Sequence, residues 1–199
     1  GFVEIKNFLD ENNLNYLKKI VNENLLKNNF NSFFLTGTNL DEAVGKIENF
    51  NAKILNVFNK FSELDKLSNY SNRKMYKVLR VISKSKMYSN SYDFHFDAHY
   101  YTMLVPIFIP EGIDEDTNGH LMLFPNIRKN TNNLIKNFFQ KLFYQNKIIK
   151  NLLKLLVSKK KIKYTKLIIK PGNIYLFNGF RSLHANENVD KSLLRATLI

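Results

Sequence analysis

The chain has 199 residues, 44% of them hydrophobic and 14% aromatic, which fits one domain with a sizeable core and excludes a disordered chain. It has no Cys, so disulfide frameworks and thiolate metal sites are excluded, and His and carboxylates remain as possible metal ligands. The net charge of +13 comes mostly from Lys; Arg73, Arg80, Arg128, Arg181 and Arg195 are the only side chains with the planar fork that nucleic-acid readers favour, and no nucleic-acid partner is expected.

The chain starts at Gly1 and stops at Ile199 inside a strand-like run, as a trimmed piece would. No signal peptide and no transmembrane segment is legible, and a cytoplasmic location is expected. The first seventy residues have helical spacing. Leu14, Leu17, Val21 and Leu25 form one apolar stripe, with Asp10 and Glu11 at the end where the helix dipole favours acids. An Asn-rich linker from Asn28 to Thr38 reads as a loop. A second stripe then runs through Leu40, Val44, Ile47, Ile54, Phe58, Phe61 and Leu64, with Thr38 or Asn39 as its cap.

From Lys74 the pattern turns to strands. Met75 to Ile82 and Tyr100 to Ile109 are rich in β-branched and aromatic residues. An acidic turn spans Glu111 to Gly119, and His120 to Phe124 is a short strand closed by Pro125-Asn126. A long basic helix is predicted from about 131 to 157, with Leu134, Phe138, Leu142, Ile149, Leu152 and Leu156 on its apolar face. Strands return at 166–170, 173–178 and 192–199, the first two separated by the Pro171-Gly172 turn. Helices followed by antiparallel-looking strands around one inserted helix predict an α+β fold, with a small barrel or two-sheet sandwich packed on N-terminal helices. The expected organisation is a single domain over 1–199: mainly helical support over 1–70, and a β core over 74–199 with the helical insertion at about 131–157.

Charge is unevenly placed. Between Thr117 and Asn186 there is no Asp or Glu, while Lys and Arg recur throughout. This could be an anion-attracting face for a phosphorylated or carboxylated substrate, an acidic carrier or a membrane surface, or it could be the Lys- and Asn-rich bias of an AT-rich genome.

Three residues stand out chemically. On a strand, positions i and i+2 share a face, so His95 and Asp97 can point into a barrel together. His184, just before the last strand, is placed to supply a third ligand. Two imidazoles and a carboxylate on one side of a metal leave three positions open, as non-haem Fe(II) oxygenases need. Arg195 follows eleven positions later and could pair an anionic co-substrate.

The neighbouring residues carry a family resemblance. Tyr92-Asp93-Phe94-His95-Phe96-Asp97, the strand from Tyr101 to Ile107, Asn118-Gly119-His120-Leu121, Pro125-Asn126, the block from Lys170 to Gly179, Leu183-His184 and Leu194 to Ile199 resemble the iron- and 2-oxoglutarate-dependent dioxygenases, particularly the phytanoyl-CoA-hydroxylase-like and prolyl-hydroxylase-like enzymes. The Pro-Gly-Ser-His of the former is reduced here to Pro125-Asn126. The resemblance implies a double-stranded β-helix (jelly-roll, cupin-like) core and Fe(II), 2-oxoglutarate and O2 as cofactor and co-substrates. It implies that His95, Asp97 and His184 bind the metal and carry the catalysis, and that Arg195 pairs with the distal carboxylate of 2-oxoglutarate. Related halogenases have a small residue at the position of Asp97, so a carboxylate there implies hydroxylation or desaturation.

Thr102 and Tyr101 are further candidates for contacting 2-oxoglutarate, although Tyr88, Tyr100 and Tyr101 also fit as core aromatics. Arg80, His99, Tyr88, Asn178 and Arg181 are candidates for the substrate. For Arg80 a solvent face is equally open, and for His99 a supporting role beside the metal; His120 fits a loop or strand edge. The expected partner is a small-molecule or carrier-linked substrate, with an anionic one in view. A peptide or protein side-chain hydroxylase and a metal-holding barrel without oxygen chemistry are the alternatives, and the latter has no need of Arg195.

Overall fold

A computed structural model describes residues 1–64, 75–83, 91–111, 117–129, 133–144, 146–189 and 194–199, apart from the side chains at 134, 136, 137 and 141. The elements in chain order are β1 (Phe2–Ile5), α1 (Glu11–Lys27), β2 (Phe33–Thr36), α2 (Thr38–Gly45), α3 (Phe50–Leu64), β3 (Val78–Ile82), β4 (Thr102–Phe108), β5 (Leu121–Phe124), α4 (Leu134–Tyr144), α5 (Lys147–Ser158), β6 (Thr165–Leu167), β7 (Ile174–Phe177), β8 (Leu183–Asn186) and β9 (Arg195–Leu198). The strands make a six-stranded sheet ordered β1-β7-β4-β9-β3-β2 and a three-stranded sheet ordered β6-β5-β8, and every strand pair is antiparallel. Among the described residues no helix is long and apolar enough to cross a membrane.

Period-two alternation sorts each strand between three layers. Leu79 and Val81, Met103, Val105 and Ile107, Ile174 and Leu176, and Ala196 and Leu198 face one way, into a core with Leu17, Val21, Leu40, Val44, Phe50, Ile54 and Phe61 of the N-terminal helices. Their neighbours Leu104, Tyr175 and Phe177 face the other way and meet Leu121, Leu123 and Leu167 of the small sheet. The outer face of the small sheet carries Met122, Leu183 and Ala185. It packs with Phe94 and Phe96 and is covered by Val157, Leu153 and Tyr144 of the inserted helices. The space between the two sheets is therefore apolar at one end and free to hold polar groups at the other.

Several elements differ from the sequence expectation. The expected 28–38 loop contains β2, whose four residues pair with β3 and extend the large sheet. The second helical stripe is two helices, because Asn49 at φ 56° turns the chain between them. The N-cap of α2 is Gly37 with no side-chain bond, in place of Thr38 or Asn39, whereas Asp10 does cap α1, accepting from Asn13 N at 2.8 Å. The inserted helix is also two, with Asn146 capping α5 by accepting from Ile148 N at 2.8 Å. That break shifts the apolar face: Leu153 and Val157 dock, while Phe138, Leu142 and Leu152 are exposed. Two cations of the acid-free stretch are tied to acids outside it, Lys150 to Asp93 and Lys166 to Glu187 Oε1 at 2.8 Å.

The edge strand β1 is held by a buried polar knot. The Tyr175 hydroxyl accepts from Lys170 N at 2.9 Å and from Asn173 Nδ2 at 3.2 Å, and donates to Glu4 Oε1 at 3.0 Å. Tyr175→Phe keeps the ring and takes the acceptor from Lys170 N, while Asn173 Nδ2 keeps its bond to Glu4 Oε1 at 2.9 Å. It should cost about 1–3 kcal/mol, read as a lower urea midpoint, and an unchanged midpoint would show that water replaces the hydroxyl.

Candidate metal centre

Backbone pairing brings the chemistry together. His95 N donates to His184 O and His184 N to His95 O, each at 3.0 Å, so the segment before β4 adds to the free edge of β8. Phe94 and Phe96 then point out to the helices, and His95 and Asp97 point in beside His184. The cavity between the sheets is lined by these three, by Arg80, Ile82, Thr102, Leu104, Leu121 and Phe177, and by Asn186, Arg195, Thr197 and Ile199.

One potential ligand atom from each of His95, Asp97 and His184 lies within 4.8 Å of the other two. His95 Nε2 is 3.7 Å from Asp97 Oδ1, and His184 Nε2 is 3.5 Å from Asp97 Oδ2. Two ligands at right angles on bonds of about 2.1 Å would stand roughly 3 Å apart, so a small inward shift would close the set. Both other ring nitrogens face carbonyl oxygens: His95 Nδ1 faces Asp93 O at 2.7 Å and His184 Nδ1 faces Ser182 O at 3.0 Å. A carbonyl can only accept, so each Nδ1 carries the proton and each Nε2 offers a lone pair inward. Burial, more than any other influence, holds the His184 pKa below the ordinary 6.5, despite the nearby Asp97 charge. Two lone pairs and a carboxylate facing one another call for a cation, and the donor set fits a divalent metal with nitrogen and oxygen preference.

Supporting contacts fix the carboxylate. Thr102 Oγ1 donates to Asp97 Oδ2, and Asp97 N donates to Gly179 O at 3.1 Å. Any Cβ on Gly179 would collide with Asp97 Oδ2 and Thr102 Oγ1, so only glycine leaves the carboxylate where it stands. Phe177 packs its ring on His184 at a centroid distance of 4.9 Å.

Arg195, on β9, is buried and donates from Nη2 to Asn186 Oδ1 at 2.8 Å. Burial, and then the charge of Arg80, lower its pKa to about 10, so it stays cationic at neutral pH. Arg80 lines the same cavity from β3.

Other candidates lie elsewhere. Tyr101, one position before Thr102, falls on the opposite face and packs on Phe58 and Phe61, at 6.4 and 5.2 Å between centroids. His99 is exposed and stacks on Tyr76 at 6.2 Å. Asn178 and Arg181 build the turn before β8, where Arg181 N donates to Asn178 Oδ1 at 3.0 Å and Arg181 Nε to Arg128 O at 3.3 Å. Tyr88 lies outside the described residues. His120 is buried, with Nδ1 sealed off and lacking a hydrogen-bond partner among the described residues. Sequence reasoning missed Asn186, although it is two residues after His184 and so shares its face. It also missed Arg128, sandwiched between the rings of Phe96 at 4.2 Å and Phe180 at 3.9 Å, which braces the segment carrying His95 and Asp97.

Two outcomes follow from this geometry. Gly179→Ala should leave a folded chain whose Mn(II) affinity, measured by electron paramagnetic resonance, is lower by about tenfold or more, because Asp97 is displaced; unchanged affinity would remove Asp97 from the site. In metal-free protein, His184 takes a proton less readily folded than unfolded. The unfolded chain therefore binds more protons below pH 6.5, and stability, complete above that value, should fall as pH drops through it. Urea midpoints at pH 7.5 and 5.5 check this, and equal midpoints in wild type and His184→Gln would contradict it.

No protein-family model matches the chain, and no curated protein matches it in sequence. Solved structures do match in shape. The non-haem α-ketoglutarate-dependent epimerase SnoN from nogalamycin biosynthesis superposes with a TM-score of 0.60 at 11% identity, covering 100% of this chain and 74% of SnoN. The related carbocyclase SnoK gives 0.60 at 12% identity, covering 100% and 78%. A prolyl-4-hydroxylase from Pseudomonas putida gives 0.52 at 10% identity, covering 100% and 89%. One SnoN structure contains Fe3+, α-ketoglutarate and nogalamycin RO. The chain has the fold shared by these non-haem α-ketoglutarate-dependent enzymes and prolyl hydroxylases, with two histidines and an aspartate converging between its sheets.

Proposed function

We propose that this chain is an Fe(II)- and 2-oxoglutarate-dependent dioxygenase that hydroxylates a C–H bond of a small or carrier-linked metabolite, with succinate and CO2 as co-products. The observation that carries this reading is the His95–Asp97–His184 cluster in one cavity with a buried arginine, Arg195. The order of the strands supports a double-stranded β-helix. From β3 onward the chain passes from large sheet to small and back: β3, the His95 segment, β4, β5 with β6, β7, β8 and β9.

The spacing suits the co-substrate. His184 and Asn186 are two residues apart on one strand face, about 7 Å, of the order of an extended five-carbon dicarboxylate. With its oxo-acid end at the His95–Asp97–His184 set, such a molecule would place its distal carboxylate at Arg195, which Asn186 holds in position. A buried carboxylate needs a permanent cation with a planar fork, and arginine supplies both. Leu104, Leu121, Phe177 and Ile199 wall the cavity and keep water from competing for that pair. Thr102 anchors Asp97, and the two carbonyl-bound imidazoles keep their Nε2 atoms turned inward. Iron held there would supply the redox chemistry that couples O2 to the oxidative decarboxylation of 2-oxoglutarate. A barrel that only stores metal has no use for a buried arginine in the same cavity, which favours the oxygenase over that alternative.

Fe(II)-dependent conversion of 2-oxoglutarate to succinate tests the assignment. His95→Ala, Asp97→Ala and His184→Ala should each abolish it, and near-full activity in any one would refute the ligand set. Arg195→Lys keeps the charge and loses the fork. It should raise the 2-oxoglutarate KM about tenfold, roughly 1.4 kcal/mol. An unchanged KM would move the carboxylate partner to another residue.

A further inference from the structure

The cavity contains a second guanidinium beside that of Arg195. On the β3–β9 ladder Arg80 pairs with Thr197 and Ile82 with Arg195, so both arginines stand two positions apart on the same face of the large sheet. Both line the cavity. The Nε of Arg80 is sealed from solvent and has no hydrogen-bond partner among the described residues. Its guanidinium carbon is 6.0 Å from the centre of the Phe34 ring, a weak contact at that range. Asp93 is close enough for its charge to favour the cation, but its Oδ1 is already ion-paired with Lys150.

Arg80 and Arg195 are cations, Asp97 is an anion, and the two histidines bind metal as neutral rings. A divalent metal and a 2-oxoglutarate dianion cancel each other. Asp97 then offsets one arginine, and one positive charge is left over. A half-buried, unbalanced guanidinium is costly unless a ligand completes it. In the assignment above the distal carboxylate goes to Arg195, which Asn186 already holds, whereas Arg80 Nε has no hydrogen-bond partner among the described residues to hold it toward that carboxylate.

We propose that Arg80 is the anchor for an oxyanion of the primary substrate, so that the substrate class is a small molecule with a carboxylate or phosphate a short distance from the carbon that reacts. This rests on the 2-oxoglutarate assignment above and adds the chemistry of the second ligand. Arg80 positions that ligand and takes no part in proton or electron transfer.

The test uses protein loaded with Mn(II) and 2-oxoglutarate without O2, titrated calorimetrically with butanoate, n-butyl phosphate or uncharged butanamide. At least one of the two anions should bind about tenfold more tightly than butanamide, as a charge-assisted pair would give. The anion preferred tells carboxylate from phosphate. Arg80→Gln should erase the preference while leaving the Kd for 2-oxoglutarate within about threefold, and Arg80→Lys should keep part of it. Equal binding of amide and anions, or no binding of either anion, would overturn the proposal. So would an Arg80→Gln protein that binds 2-oxoglutarate about tenfold more weakly, since Arg80 would then clamp the co-substrate. Failure of 2-oxoglutarate itself to bind metal-loaded wild type would overturn the underlying assignment as well, and that outcome is visible before any anion is added.

Discussion

The site depends on one pair of backbone hydrogen bonds. His95 and His184 each donate to the other's carbonyl at 3.0 Å, although they stand 89 positions apart in the chain. The pairing fixes register, and register fixes sides. A slip of the 94–97 segment by one residue against β8 would turn His95 and Asp97 out toward the helices and bring Phe94 and Phe96 into the cavity. The packing resists that slip, because Phe94, Phe96 and Leu183 are buried against Val157, Leu153 and Tyr144. The inserted helices thus hold the ligands in register from behind, although none of their described residues lines the cavity.

The same alternation explains why the electrostatics concentrate at one end. The large sheet gives its apolar positions to the N-terminal helices. On β3 and β9 the inward positions that remain include Arg80, Arg195 and Thr197. Two cations on one face of a buried sheet repel each other, and the lowered pKa of Arg195 records burial first and Arg80 second. That cost makes sense in a binding site, where ligands of opposite charge complete the arrangement.

Much of this was legible in the sequence. The His-x-Asp pair on an extended segment, the distant histidine and the following arginine are local patterns, and period two predicts which of them share a face. The strands around Val78, Thr102, Leu121 and Ile174 were legible because β-branched and aromatic residues cluster there. Features that depend on long-range pairing were hidden. β2 sits among Asn residues and is a strand only because β3 offers a partner. In β8 the inward positions are His184 and Asn186, so its apolar signal is half erased. Tyr101 and Thr102 looked equivalent until the register placed one among the helices and the other on Asp97. Arg128 gave no local sign of its role, because its partners Phe96 and Phe180 lie 32 residues before it and 52 after it in the chain.

The central claim is that one cavity binds metal and 2-oxoglutarate together, through His95, Asp97 and His184 at one end and Arg195 at the other. Anaerobic equilibrium dialysis of 2-oxoglutarate, with and without Fe(II), tests it most directly. The account predicts one 2-oxoglutarate bound per chain, tight only when Fe(II) is present, and lost in both Asp97→Ala and Arg195→Ala proteins. Binding that ignores the metal, or that survives removal of Arg195, would contradict it.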